Sequence, residues 1–528
     1  MTALTGTGTL IRFGLRRARV RMLIWVLGIG LLVVFSAVSV KDLFPTAESL
    51  AKVAALSQDN AVAIVFNGPA QALDTLGGQV AFQVGSFGLV MVGLMNVFMF
   101  GFFTRVEEEN GRTELLLATA LGRHAPLVAA LILVTIMNAA VAVLVGGGLA
   151  ALDLPLVGSL AFAVSFFALG LVFTGIAALL AQVTENTRVV YGSGGALVGL
   201  SFVLRAVGDI GNGSVSWLSP IGWSQKLRPY AGEQWWALVV PAAVAVLAFA
   251  AAWRLTERRD VGAGLIQPRP GRPSATPQLG SPLGLALRLQ RGSLIGWSLG
   301  LLVLGGTYGS VANQIDQFFE DNKQMADYFA AYGGATPTEA FFTTTSLMLA
   351  LIGGGFAVQS MLRTLGEEST LRAELLLATP VSRAAWVGSH LVIAVLGSVI
   401  VLGLTGLGTS VTYGLIIGDF SSLPRLIGAQ MAYLPAVWVL AGVALLLYGL
   451  IPRAALAAWA AYALVILSGM LADVLNLPDW VQSLSPFDHI PALPANSFEL
   501  LPVIAITAIA GVLMAAGVAG FRHRDTPA

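Results

Sequence analysis

No cysteine occurs among the 528 residues. That absence excludes disulfides, thiolate metal sites, iron–sulfur clusters and a cysteine nucleophile. Charge is scarce too: 11% of residues are charged, where a soluble domain carries about 25%. The formal net charge is +1, so no overall field steers the chain toward nucleic acid. Lysine is scarcest, with only Lys41, Lys52, Lys226 and Lys323. A phosphate-cradling P-loop needs G-x-x-x-x-G-K-[ST], because its lysine reaches the phosphates. These lysines precede Asp42, Val53, Leu227 and Gln324, so none belongs to such a loop. If ATP drives this protein, another chain binds it. The histidines His124, His390, His489 and His523 are scattered, and neither H-E-x-x-H nor G-x-S-x-G occurs. No catalytic residue and no metal ligand is expected.

What abounds is apolar sequence, 56% of the chain, with a mean hydropathy of +0.81. This composition belongs to an integral membrane protein, and the length allows about a dozen spans of roughly 20 residues. Apolar runs place twelve helices near 22–40, 79–103, 126–151, 158–182, 189–207, 235–253, 293–313, 340–362, 386–412, 428–450, 454–473 and 499–521. The runs are apolar on all faces, whereas barrel strands alternate. With both termini cytoplasmic, nearly every arginine falls on the cytoplasmic side, and only Arg205, Arg228 and Arg425 lie near the outer side. The start, TLIRFGLRRARVRM, reads as an interfacial basic helix before an uncleaved first span.

The chain repeats itself. Residues 105–123, RVEEENGRTELLLATALGR, match residues 365–383, LGEESTLRAELLLATPVSR, after a gapless shift of 260. Glu107/Glu367, Glu108/Glu368, Arg112/Arg372, Glu114/Glu374 and Arg123/Arg383 are among the identities, and both copies follow the second span of a half. Arg259–Asp260 after the sixth span echoes Arg524–Asp525 after the twelfth. The expected architecture is an all-α integral membrane protein with twelve transmembrane helices in two parallel six-helix halves. The halves are 1–264 and 286–528, joined by a Pro/Gly-rich cytoplasmic linker, 265–285.

The duplicated segment is the one place where charge is concentrated. Glu108–Arg112 and Glu368–Arg372 are expected as i,i+4 helix pairs. Thr379–Pro380 reads as the cap and first residue of a following helix, with a less definite break at Ala120 in the first copy. A duplicated, charged, rigid element suits a docking surface for a partner with matching two-fold symmetry.

The pattern E-E-x-x-x-R-x-E-L-L-L-A-T-x-x-x-R after a second span resembles the cytoplasmic coupling segment of type-2 ABC exporter permeases. The whole-chain arrangement, with RRDVGAG at 258–264 before the linker, is similar to the fused actinobacterial exporters of polyketide antibiotics, the tetronasin type, and to multidrug exporters. The resemblance implies a plasma-membrane permease that exports hydrophobic or amphipathic compounds. It implies two copies of a separate ATP-binding subunit, which would hold ATP and Mg, while this chain binds no cofactor. It also assigns Glu107, Glu108, Arg112, Glu114 and Arg123, with Glu367, Glu368, Arg372, Glu374 and Arg383, to contacting or bracing those subunits.

A substrate pathway is expected between the halves. Methionine and aromatic side chains make an adaptable apolar surface. The candidates are Phe82, Met91, Met95, Asn96 and Phe98 in the second span, Phe341, Met348 and Phe356 in the eighth, and Trp459 and Tyr462 in the eleventh. Asn96, an amide in mid-span, wants a partner. An exporter of an endogenous lipid-like molecule is the alternative within transport. A proton-coupled antiporter needs an acid within the membrane. Asp209, Glu339, Asp473 and Glu499 come closest, all near span ends. His390, near a cytoplasmic end, reads as an interfacial side chain. A lipid-modifying enzyme would need a polar cluster at the membrane surface, which the sequence does not display.

Overall fold

The computed structural model describes residues 2–58, 61–211, 213–266, 273–321, 336–471 and 478–524. Residues 267–272 of the expected linker, 322–335 of the expected outer segment, Asp473 and Asp525 lie outside them. The chain divides into two compact units, Met1–Pro270 and Gly271–Ala528.

In the first unit, α1 (Thr7–Leu43) is followed by short α2 (Ala47–Gln58) and α3 (Ala61–Asn67). Then come α4 (Leu76–Phe103), α5 (Arg105–Glu109), α6 (Arg112–Leu117), α7 (Ala125–Ala151), α8 (Leu156–Val183), α9 (Thr187–Ile210), α10 (Pro220–Gln225) and α11 (Val239–Arg258). The second unit holds α12 (Pro282–Asp321), α13 (Pro337–Ser369), α14 (Arg372–Leu377), α15 (Arg383–Ile417), α16 (Leu423–Ala432), α17 (Leu434–Leu450), α18 (Ala457–Leu471), α19 (Asp479–Gln482) and α20 (Leu500–His523).

Ten helical stretches among the described residues are long and apolar enough to cross a bilayer. The expected seventh span falls inside α12, and the expected eleventh coincides with α18, 15 residues long. Neither is among those ten. The basic N-terminal segment is no separate interfacial helix, because α1 runs unbroken for 37 residues. At 1.5 Å per residue it is about 55 Å long, well beyond the hydrocarbon core. No proline interrupts it.

The two units repeat the same neighbours. In the first, α1 packs on α7, α7 and α4 on α8, and α8 on α11. In the second, α12 packs on α15, α13 on α17, and α17 on α20. The most enclosed helices are α4 and α8 in one unit, and α13 and the α16–α17 stretch in the other. Leu23, Ile24 and Phe35 on α1, and Val246 and Leu247 on α11, stay exposed. Apolar surface of that extent needs lipid to cover it. Close backbone contact joins α12 to α15, since a Cβ at Gly309 would lie 2.1 Å from the Thr409 carbonyl oxygen. Only glycine fits there, a small-residue helix contact of the kind that drives association in membranes.

Candidate coupling site

Each duplicated segment is a short helix set off by a left-handed residue. Gly111 has φ +69° and Leu371, its equivalent, has φ +59°. Glycine adopts that conformation freely, whereas leucine adopts it under strain. The turn corrects the expected i,i+4 pairs. Arg112 Nη1 reaches Glu107 Oε1 at 3.3 Å, not Glu108, and Arg372 Nη1 stands 3.8 Å from Glu367 Oε1, not from Glu368. The helix is broken between the partners, so helical spacing no longer decides who meets whom.

The next helix also begins later than expected. The N-cap of α15 is Ser382, whose hydroxyl accepts from the Ala385 N–H at 3.1 Å. Thr379 instead donates its hydroxyl to the Leu376 carbonyl at 2.6 Å, closing α14. Thr119 makes the same bond to Leu116 at 2.6 Å. The break is therefore equally present in the first copy, where Ala120 replaces the proline.

The conserved chemistry of the two copies is a clamp to the last helix of each unit. Glu108 accepts two bonds from the Arg259 guanidinium, at 2.7 and 2.9 Å, and one from Arg105 Nη1 at 2.7 Å. Arg105, fully buried, also donates to the carbonyls of Ala181 and Ala263. Glu368 accepts from Arg524 and, at 2.6 Å, from the Tyr448 hydroxyl. Such charge-assisted, two-pronged contacts fix orientation as well as distance. Arg123 donates to the carbonyls of Thr256, Glu257 and Arg259, and Arg383 to that of Arg524. Both arginines thus satisfy orphan carbonyls at a helix C-terminus, where positive charge is favoured. Glu107 is tied to α1 through Arg17 Nη1 at 2.6 Å, whereas Glu367 is tied to Arg363 of its own helix at 3.0 Å. Glu109 Oε1 accepts from the Thr187 N–H, at the start of α9.

The outer face of α6 and α14 has the opposite character. Leu115 is 74% exposed and its equivalent Leu375 is 75% exposed. Arg112, Glu114 and Arg372 are exposed beside them, and Glu374 is half-buried. The sequence reading missed the Arg259 and Arg524 partnership, although their echo after the sixth and twelfth spans was the signal for it. It also missed the leucine pair, because a leucine triplet does not say which member faces outward.

The ten pathway candidates differ in burial within their own units. Asn96 is buried and exchanges side-chain hydrogen bonds with Asn138 at 2.8 and 2.9 Å, and its Oδ1 accepts from Thr174 at 2.6 Å. Met95 and Phe356 are fully buried in the cores of their units. Phe82 packs with Ala54 and Leu73. Phe98 lies edge-on to Tyr191, and Met348 accepts from the Tyr308 hydroxyl at 3.5 Å. Tyr462 donates to the Leu351 carbonyl at 2.9 Å. Met91, Phe341 and Tyr462 are half-buried, and Trp459 is exposed. His390 is buried, with Nδ1 3.0 Å from Gln290 Nε2, because α12 covers that face of α15. Among the described residues no group of acidic or histidine side chains is placed to hold a metal.

Residues 279–522 match the family described as the C-terminal domain of the multidrug efflux system permease Rv1217c. Over 525 residues the chain is 38% identical to the multidrug efflux system permease protein Rv1217c of Mycobacterium tuberculosis, covering 99% of this chain and 95% of that protein. With its apolar helices, this makes it a multi-pass protein of the plasma membrane. The chain belongs to the multidrug efflux system permease family.

Proposed function

We propose that the chain is the membrane subunit of an ATP-driven exporter of hydrophobic or amphipathic compounds, such as polyketide-type antibiotics and drugs. Twelve spans in two parallel halves, with both termini cytoplasmic, form the membrane body. Two copies of a separate ATP-binding subunit dock on α6 and α14 and hold the ATP and Mg. The observation that carries this reading is the exposed leucine at the same place in each copy, Leu115 and Leu375, on an element otherwise clamped to its unit. An exposed apolar knob beside charge suits a protein partner. None of the four lysines of this sequence lies in a P-loop, which supports placing the ATP on that partner.

The residues divide by role. Arg112, Glu114 and Leu115, with Arg372, Glu374 and Leu375, form the docking face. Glu107, Glu108 and Arg123, with Glu367, Glu368 and Arg383, transmit movement of that face to the spans. Closure of the ATP-binding subunits displaces α6 and α14, and the clamps make the neighbouring helices follow as rigid bodies. The half-buried Met91, Phe98, Phe341, Met348 and Tyr462, with exposed Trp459, supply an adaptable apolar surface for cargo.

Reconstitution with the partner ATPase tests the reading. A fluorescent amphipathic dye is to be moved across the vesicle membrane when ATP is supplied, and movement persists when an uncoupler abolishes the proton gradient. Movement that stops with the uncoupler while ATP is present contradicts it.

A further inference from the structure

An open groove of about 480 Å³ runs along the outside of the first unit, between α7, α8 and α11. Its walls are apolar, contributed by Leu131, Leu171, Val246 and Phe249. At its end toward the C-terminus of α11 stand Trp253 and Arg254. Arg254 and Arg258 are exposed, and among the described residues their side chains make no ion pair or hydrogen bond. They lie four apart, on one face of α11. The nearby acid, Glu257, is engaged at 3.3 Å by His124. The lining of the groove runs from Ala245 to Arg254 on α11. Those nine residue steps are about 14 Å of helix, close to half of a hydrocarbon core about 30 Å thick. The apolar part therefore has the depth of one lipid leaflet, with two unpaired cations where that leaflet's headgroups lie.

We propose that this groove binds one phospholipid with an anionic headgroup, its acyl chain between α7, α8 and α11 and its phosphate at Arg254 and Arg258. Tryptophan and arginine at that depth are placed as interfacial anchors, and arginine pairs phosphate in a fork geometry. The arginine pair is not repeated in the second unit. Matching Arg259 to Arg524 puts Ala519 where the first unit has Arg254, and the same matching puts His523 where it has Arg258. One lipid per chain follows.

The test uses the full chain in mild detergent, titrated with dioleoylphosphatidylglycerol or dioleoylphosphatidylcholine and read by native mass spectrometry. Two arginines at the headgroup level give the anionic lipid about a 30-fold preference at one site. Arg254→Gln with Arg258→Gln removes the preference, and Ala250→Phe, which fills the groove, weakens retention of both lipids. All three positions are surface positions, and an unchanged unfolding temperature shows that the variants fold. Equal retention of the two lipids by the unaltered chain overturns the proposal. So does phosphatidylglycerol retention that none of the variants changes. An amphipathic dye that displaces the lipid and is indifferent to the arginines assigns the groove to cargo, and also overturns it. None of these readouts uses ATP, so their failure is separate from failure of the transport reading.

Discussion

At the scale of single residues, two features make sharp stability predictions. Leu371 sits at φ +59°, where its counterpart is Gly111. Leu371 is exposed, so little burial is lost when its side chain is removed. Leu371→Gly is expected to stabilise the second unit by about 1 kcal/mol, the strain a left-handed non-glycine residue stores. Gly111→Ala has open space around it but carries the same strain, and should destabilise the first unit by a similar amount. Thermal unfolding of the purified chain measures both. The Asn96–Asn138 pair, with Thr174 as third member, joins α4, α7 and α8 within the bundle. A double-mutant cycle with Asn96→Leu and Asn138→Leu should return a coupling of about 0.6–1.7 kcal/mol, the range for interhelical hydrogen bonds in membranes. Zero coupling would show that the amides find other partners when separated.

At the scale of elements, the duplicated segment acts as a bracket. Glu368 is held by Arg524 at the end of α20 and by Tyr448 on α17. Removing the Tyr448 hydroxyl leaves the carboxylate one donor short, at a cost of about 1.5–3 kcal/mol for a bond to a charged group. Tyr448→Phe should therefore lower the unfolding temperature. It should also speed hydrogen exchange of the α14 amides. Exchange unchanged at α14 would mean that the segment is positioned by something else. Ten of the twelve expected spans were legible in the sequence, because long apolar runs survive any uncertainty about ends. The pairings were not. Glu108 and Arg112 are correctly spaced for one helix, but a left-handed residue at 111 lies between them. Glycine at that position was a visible cue in the first copy. Leucine in the second gave none, since only the surrounding structure holds it in that conformation. Likewise Thr379–Pro380 has the chemistry of a helix start, but Ser382 was nearer the following apolar run and took the role.

At the scale of the whole molecule, the division between braced and exposed side chains decides what a substitution does. Glu108→Gln leaves Arg105 and Arg259 buried beside a neutral amide. Its effect should be loss of stability, of about 3 kcal/mol for one partner of a buried ion pair. Leu115→Asp and Leu375→Asp change only the outer face. Each is expected to leave the stability of the isolated chain within about 0.5 kcal/mol of the original, while removing one docking site.

That contrast gives the most direct test. The chain, purified gently from its own membrane, is to be weighed as an intact complex by native mass spectrometry. Two copies of a soluble ATP-binding subunit per chain are expected, one copy when either Leu115 or Leu375 is changed to aspartate, and none when both are. A chain that comes away alone yet transports, or that keeps both subunits when both leucines are changed, would contradict that expectation.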